Sequence, residues 1–376
     1  MSSLNDASQI QKLTGIEAVR LRPGMYVGDK DENGLHQLIY ELFENSIDEI
    51  VHGFGNQIKI ILHADNSVTV QDNCRGIPIE PETSTNVPIA EFIFTNLHRG
   101  QKFDSNRYKV TGGLHGVGVA CVNFLSEWLH LEIEREGKIY QQNYQAGIPS
   151  SPFSVIGETN KTGTKIHFKP DATIFTVTEF NFEKLALRLR QKAYLNSGVE
   201  IALIDERKNK SQFLELCSQN GLADFVDFIA QDISRVHPKT IHFIDKIEEL
   251  DLSIEAALLF TEQEKEKIYT FANQIQTPDG GTHQSGFYAG LTRTVNQFAK
   301  TNHKKPALPA KKIRAVLIAI LAVTLPQPRY EGSTKAKLTS EISGIVQSFV
   351  YQNLINYFNA NPKVANKIIN HLWQEN

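Results

Sequence analysis

The chain has 376 residues, 41% hydrophobic and 22% charged, long enough for two domains with separate cores. A formal net charge of −3 does not mark the whole chain as a nucleic-acid binder, although bulk charge hides local basic patches. Cys74, Cys121 and Cys217 lie far apart with no CxxC pair, which argues against a zinc site or a disulfide framework and fits a reducing, cytoplasmic setting.

Met1 to Gln11 is polar and holds no signal-peptide core, and residues 1–14 read as a flexible arm. Arg22-Pro23-Gly24-Met25 has the composition of a turn. Leu35 to His52 is an amphipathic helix: Leu35, Leu38, Ile39, Leu42, Ile47 and Ile50 form an apolar stripe opposite Gln37, Glu41, Asn45, Asp48 and His52. Gly53 and Gly55 end it. Gln57–His63 and Val68–Asp72 form a hairpin around Asp65-Asn66. Ile89–Leu97 is a second helix, and His98–Tyr108 a mobile loop. Strands follow at Leu129–Glu134, Lys138–Tyr144 and Gly163–Phe168, with a helix at Phe182–Tyr194. This order predicts an α+β fold, a sheet covered by helices on one side.

The charged stretch Asp205–Gln212 is the expected domain boundary, giving an arm at 1–14, a first domain at 15–212 and a second at 213–376. In the second, Ile254–Phe260 and Glu266–Ala272 read as paired strands, Pro278–Gly281 as a turn and Ser285–Lys300 as a helix. Lys304–Lys312 is basic. The apolar run Ala315–Leu325 is a buried strand or a short core helix, and periodicity alone does not choose. It is too short to cross a bilayer, so no membrane role is expected. Pro326–Lys337 reads as a loop and Leu338–Asn359 as a long terminal helix.

Three features carry chemistry. Gly112-Gly113-Leu114-His115-Gly116-Val117-Gly118 places four glycines ahead of an apolar helix-like segment, which lets backbone amides approach a phosphate. Glu41 and Asn45 lie one turn apart on the polar stripe, where a carboxylate can orient a water and an amide oxygen can ligate Mg²⁺. A lone surface Glu is ordinarily just solvated, but Asn is a poor mid-helix residue and so points to a site. Asp48 and Glu49 either support that site or are plain surface charge. Asp72 ends a strand, where its carboxylate can accept from an adenine amino group or simply form an Asp-Asn turn. Gly76 and Pro78 shape a pocket floor on which Ile77 can pack against a base. Lys102 and Lys109 flank the glycine loop and are either phosphate contacts or solvated. His115 serves a phosphate, a backbone contact or the loop's own structure.

The order Glu41-x3-Asn45, Asp72-x-Cys74-x-Gly76 and Gly112–Gly118 resembles the Bergerat-type (GHKL) ATP fold of gyrase, Hsp90, histidine kinases and MutL proteins. The strings Val19-Arg20-Leu21-Arg22-Pro23-Gly24-Met25-Tyr26-Val27-Gly28, Leu62–Ser67, Tyr108–Gly118 and Asp279-Gly280-Gly281-Thr282-His283 resemble, more narrowly, the gyrase B and bacterial topoisomerase IV B family. The resemblance implies ATP and Mg²⁺ as ligands, Glu41 as general base, Asn45 as the Mg²⁺ ligand, and Asp72 on the adenine with Thr164 sharing a water. It implies Arg75, Pro78 and Arg135 at the pocket mouth, where aminocoumarin-type inhibitors bind, and Lys102, Lys109 and the loop from Gly113 to Gly118 on the phosphates. Lys335 would reach the γ-phosphate from a transducer domain of the ribosomal-S5-like kind. Two copies would close on a DNA segment when ATP binds, with a gyrase A-type protein as further partner through a TOPRIM region that these residues do not contain.

The chain departs from that family pattern at Cys74 (usually Gly), Gln37 (usually a His that orients the base) and Ser333 (usually Gln). The arm also lacks the family's Tyr, and Ala310–Leu317 lacks its acidic run. If position 74 needs a positive φ, a cysteine there is strained. These departures motivate the alternative of a nucleotide-binding paralogue that hydrolyses weakly and works as a regulatory or partner-binding module. A chaperone or mismatch-repair ATPase of the same superfamily is disfavoured by the strings around Met25 and His283.

Overall fold

The structure, a computed structural model, describes residues 13, 15–97, 117–207, 212–332 and 335–374. Its contacts divide the chain into two compact units, Met1–Ala193 with Gly198–Cys217 and Tyr194–Ser197 with Ser218–Asn376.

In the first unit, α1 (Gly15–Leu21) is followed by α2 (Gly24–Val27). The Arg22–Met25 segment, expected as a turn, therefore enters a one-turn helix, because Pro23 at φ −60 already has the helical angle. The long helix α3 spans Glu32–Val51. It begins three residues earlier than the apolar stripe predicts, because the Asp31 carboxylate caps it by accepting from the backbone N–H of Asn33 and Gly34. Leu35, Leu38, Ile39, Leu42 and Ile47 are buried along the stripe. The hairpin β1 (Gln57–Leu62) and β2 (Val68–Asp72) follows, then α4 (Ile89–Thr95), α5 (Gly118–Phe124), β3 (Ser126–Arg135), β4 (Lys138–Gln145), β5 (Ile148–Pro149), β6 (Ser154–Glu158), β7 (Gly163–Pro170), α6 (Phe182–Leu195), β8 (Glu200–Asp205) and β9 (Gln212–Leu216).

The sheet runs β5-β4-β3-β7-β2-β1-β8-β9, with β6 paired to β4. Only β1 and β8 are parallel; the other pairs are antiparallel. Side chains alternate, so Ile58, Ile60, Val70, Leu129, Leu131 and Ile133 enter one core with the α3 stripe. The β2–β7 register, Val68↔Phe168 to Gln71↔Lys165, brings the end of β2 beside the start of β7. That register is what sets Asp72 next to Thr164. The charged stretch 205–212 connects β8 to β9 within this unit, and the division by contacts falls after Cys217.

In the second unit, α7 (Leu222–Ile229), β10 (Ile241–Ile247), β11 (Leu252–Phe260), β12 (Lys267–Ala272), β13 (Ile275–Gln276), α8 (Thr282–His303), α9 (Ala310–Ala315), β14 (Leu317–Thr324), β15 (Tyr330–Glu331), β16 (Lys337–Leu338), α10 (Ser343–Ala360) and α11 (Pro362–Leu372) succeed one another. The sheet order is β10-β11-β14-β12-β13. The apolar run is thus a strand, and β11 and β12, expected to pair, are separated by it. The reason is burial on both faces: Leu317, Ala319, Leu321 and Val323 enter one core while Ile318 and Ile320 enter another, which only a central strand allows. One further expectation is corrected. Leu338 pairs with Tyr330 in a small ribbon, so α10 starts at Ser343 and not at Leu338; it ends at Ala360, and a separate helix follows from Pro362, the residue type best suited to a first helical turn.

Helices α8 and α10 approach closely at Gly286 and Gly290. A Cβ at Gly290 would lie 2.7 Å from the Gln347 carbonyl oxygen and 2.9 Å from Val350 Cβ. Gly290→Ala is therefore expected to destabilise the second unit by about 1–3 kcal/mol, despite alanine's better helix propensity. Urea unfolding of the two proteins measures this, and an unchanged midpoint would refute it.

Candidate active site

Glu41 and Asn45 project from α3 and are half-buried. Gln37, one turn earlier, donates from Nε2 to Glu41 Oε1 at 2.7 Å. The residue that departs from the family pattern therefore still holds the carboxylate. His36 does not substitute for the missing histidine: it is fully buried, accepts from the Asn181 backbone N–H at 2.9 Å and stacks on Phe180. Burial lowers its pKa to about 4, so it is a neutral core residue. On the other side of Glu41 stands Gly118, the first residue of α5. A Cβ there would fall 2.0 Å from Glu41 Oε2, so the carboxylate occupies the space that glycine leaves. The nearby Cys121 thiol is pushed up to about 12, by burial first and by the charge of Glu41 second.

Gln37→Ala is expected to slow any reaction that uses Glu41 by about 2–10-fold, the worth of one hydrogen bond, with nucleotide affinity unchanged. Steady-state turnover and calorimetric binding on the same preparation check it. A loss as large as that from removing Glu41 itself would mean that Gln37 does more than orient.

Asp72 is held by three donors. Oδ2 accepts from Ser46 Oγ at 2.7 Å; Oδ1 accepts from the backbone N–H of Cys74 at 3.0 Å and of Thr164 at 3.1 Å. Enclosure raises its pKa above the ordinary carboxylate value, and the three hydrogen bonds oppose that shift. A carboxylate offers about four lone-pair directions, so one remains for an incoming N–H donor. Ser46 was not foreseen. Its signal is a serine beside Asn45 on the buried side of α3, 4% exposed, where a polar side chain needs a partner.

Cys74 is not strained. The left-handed residue of this turn is Gly76 at φ 77, and Cys74 is not among the residues with positive φ. Its buried side chain lies 3.7 Å from the Ser46 carbonyl oxygen, and burial pushes the thiol above its usual range. Gly76 is the position that tolerates no Cβ, which would fall 2.9 Å from the Glu134 carbonyl oxygen.

Beyond that turn, Arg75 forms a two-point ion pair with Glu49, 2.7 Å from Nε and 2.9 Å from Nη2, and lies 3.7 Å from the Phe54 ring centroid. Glu49, left open by the sequence, is thus a support for Arg75. Arg135 donates from Nη1 to the Gly76 carbonyl oxygen at 2.9 Å, tying β3 to the turn. Ile77 packs against the first core and Pro78 is half-buried beside it.

Glu41, Asn45, Asp72, Arg75, Gly76, Ile77, Pro78, Gly118, Arg135 and Thr164 are thus gathered in the first unit. Val117, the cap of α5, stands with Gly118. Lys102, Lys109, Gly113, Leu114, His115, Gly116 and Ser333 lie outside the described residues. Lys335 belongs to the second unit, at φ 56, with Nζ 6.0 Å from the Tyr330 ring centroid.

The donor set suits a magnesium nucleotide. Asn45 offers the kind of oxygen that hard cations prefer, and no cluster of three His, Cys, Asp or Glu able to hold a metal exists among the described residues. An ion at Asn45 would need phosphate and water oxygens for its remaining positions, as Mg²⁺ ordinarily does.

A family model described as histidine kinase-, DNA gyrase B- and HSP90-like ATPase matches residues 30–174, and one described as DNA gyrase B matches residues 221–376. The DNA gyrase B protein of Myxococcus xanthus is 43% identical over 366 residues, covering 96% of this chain and 44% of that protein. The DNA gyrase B protein of Halalkalibacterium halodurans is 43% identical over 370 residues, covering 97% and 58%. The chain spans about half the length of these relatives. The crystal structure of the 43K ATPase domain of Thermus thermophilus gyrase B in complex with an aminocoumarin matches with a TM-score of 0.83 at 33% identity, covering 95% of this chain and 93% of that one. The topoisomerase IV ATP-binding domain of Francisella tularensis, in complex with a small-molecule inhibitor, gives 0.77 at 29% identity, covering 96% of each. Matched in both halves and aligned from end to end with a solved ATPase domain, the chain belongs to the DNA gyrase B family.

Proposed function

We propose that the chain is an ATP-binding and ATP-hydrolysing clamp, the ATPase part of a type IIA topoisomerase of the gyrase B kind. The observation that carries this reading is the double use of α3. Its Glu41 is held by Gln37 against Gly118, while Ser46 on the same helix holds Asp72 at the end of β2. One rigid element thus fixes the distance between a base for water and a reader of adenine.

In this reading Asp72 accepts from the adenine amino group, and Ile77 and Pro78 flank the base. Glu41 takes the proton of the attacking water, and Gln37 keeps its carboxylate aimed. Asn45 would hold Mg²⁺, which would supply neutralising charge to the phosphates. Lys102, Lys109 and the loop from Gly113 to Gly118 are assigned to the phosphates, and Lys335 to the γ-phosphate, on the family resemblance. Two copies close on DNA when ATP binds, and a gyrase A-type protein and a metal-binding cleavage region complete the parent activity, in the cytoplasm. No helix among the described residues is long and apolar enough to cross a membrane. Gln37 engaging Glu41, and Cys74 without backbone strain, both support hydrolysis over a weakly active paralogue.

Phosphate release from saturating ATP is expected with Mg²⁺ and is expected to stop when EDTA removes the metal. A non-hydrolysable analogue should double the sedimenting mass. Absence of release in the presence of Mg²⁺ would overturn the hydrolytic reading, whereas a mass that stays monomeric would overturn the clamp.

A further inference from the structure

In the second unit, the segment that follows Lys335 is held from two sides. On one side β16 pairs with β15 in a ribbon of two residues each, Leu338 against Tyr330 and Lys337 against Glu331. A ribbon that short is marginal in water by itself. On the other side the segment runs along the turn that opens α8. The Asp279 N–H donates to the Ala336 carbonyl oxygen at 3.0 Å, and the Leu338 N–H donates to the Gly280 carbonyl oxygen at 3.0 Å. Gly281 and Leu338 form a parallel bridge between these bonds. The fit is close: Gly281 has φ 136, and a Cβ on it would lie 2.2 Å from the Leu338 carbonyl oxygen.

Thr282, the first residue of α8, extends this contact by a side chain. Its Oγ1 donates to the Ser340 carbonyl oxygen at 2.6 Å. A hydroxyl at a helix start ordinarily serves the N–H groups of its own first turn, whereas this one is directed at another segment. Ser340 is 6% exposed, and its Oγ accepts from the Arg329 N–H at 2.9 Å. The Arg329 carbonyl oxygen accepts from the Thr339 N–H at 2.8 Å. The two ends of the stretch 329–340 are thus tied to each other, and the Thr282 hydroxyl ties them to α8. Lys335 lies within that stretch, next to the held Ala336. The anchor is rigid, because α8 is fixed against α10 by the close approach at Gly286 and Gly290.

We propose that Thr282 is a positioning residue for Lys335, an inference that rests on Lys335 serving the γ-phosphate. A flexible lysine stem on a short loop loses aim unless its backbone is fixed, and a bond from a long helix fixes it. The Ser340 carbonyl oxygen also accepts from the Ile342 N–H at 2.8 Å, so it keeps a partner when the hydroxyl is removed. Loss of the Thr282 hydroxyl therefore frees the Lys335 stretch without leaving that acceptor unpaired.

The test is a double-mutant cycle on the whole chain, read as ATP turnover with Mg²⁺, with ADP affinity by calorimetry alongside. Thr282→Val is expected to lower kcat about 3–10-fold, the worth of one hydrogen bond. Thr282→Ser, which keeps the hydroxyl, should stay within about twofold of the parent. Lys335→Ala should slow turnover at least tenfold, and adding Thr282→Val to it should change nothing further. ADP has no γ-phosphate and should bind all of these proteins alike. The proposal is overturned if Thr282→Val turns over as the parent does while Lys335→Ala is slow. It is equally overturned if Thr282→Val slows the Lys335→Ala protein by the same factor, if Thr282→Ser is as slow as Thr282→Val, or if Thr282→Val weakens ADP binding. Failure of the underlying reading looks different: Lys335→Ala then hydrolyses ATP as the parent does, and the role of Thr282 falls with that of Lys335.

Discussion

Glu41→Ala is expected to abolish phosphate release while ATP still binds. The carboxylate stands where Gln37 orients it and Gly118 leaves room for it, and no other carboxylate on α3 has that setting. Glu49 is committed to Arg75, and Glu44 pairs with Lys192 at 2.6 Å. Removing a positioned general base costs about 10²–10⁴ in rate. Affinity should hold, because Glu41 acts on water and makes no contact with the base in the proposed mode. Turnover by a coupled assay and affinity by calorimetry separate the two effects. Unchanged hydrolysis would remove Glu41 from its role. Joint loss of binding and turnover would instead mean that the substitution disturbs α3.

The second large effect is expected from Asp72→Asn, which keeps the shape and exchanges an acceptor for a donor. An asparagine oxygen can keep the N–H groups of Cys74 and Thr164, and its amide nitrogen can donate to the Ser46 hydroxyl, but that nitrogen meets an adenine amino group as donor against donor. Loss of a charge-assisted hydrogen bond of about 1.5–3 kcal/mol should weaken ATP binding by about 10–150-fold. Stability should move the other way. Burial raises the pKa of Asp72 above its ordinary 3.8, so the stability it contributes is fully present below that value and is lost as pH rises through the raised one. At neutral pH the ionised carboxylate is therefore a cost, and the asparagine variant should melt no lower than its parent. A lower melting temperature together with weaker binding would point to misfolding and would withdraw Asp72 as the adenine reader.

Much of the fold was legible because its signals are local. The α3 stripe, the β1–β2 hairpin around Asn66 at φ 64 and the later strands follow from periodicity and turn chemistry. The misses were of two kinds. Partner choice in the second sheet was unreadable, since β11 and β12 are each good strands and only the doubly apolar β14 decides that it lies between them. The start of α10 was the other: Leu338 reads as part of the apolar helix that follows, and only its pairing with Tyr330 takes it into a ribbon, whereas the end expected at Asn359 lies one residue from the observed Ala360.

At the site, residue types and spacing single out Glu41, Asn45, Asp72 and the Gly76 turn as candidates, since each belongs to a short motif whose chemistry is local. Spacing could not show what holds them. That Gln37 donates to Glu41, that Ser46 and the Thr164 amide hold Asp72, that Arg75 is drawn to Glu49 and that Cys74 is unstrained are outcomes of register and close approach. Sequence determines which groups can ionise, donate or ligate, because that is fixed by covalent structure. Only the tertiary fold decides which of them meet, because hydrogen bonds and ion pairs act over about 3 Å and their partners here lie up to 92 residues apart in the chain.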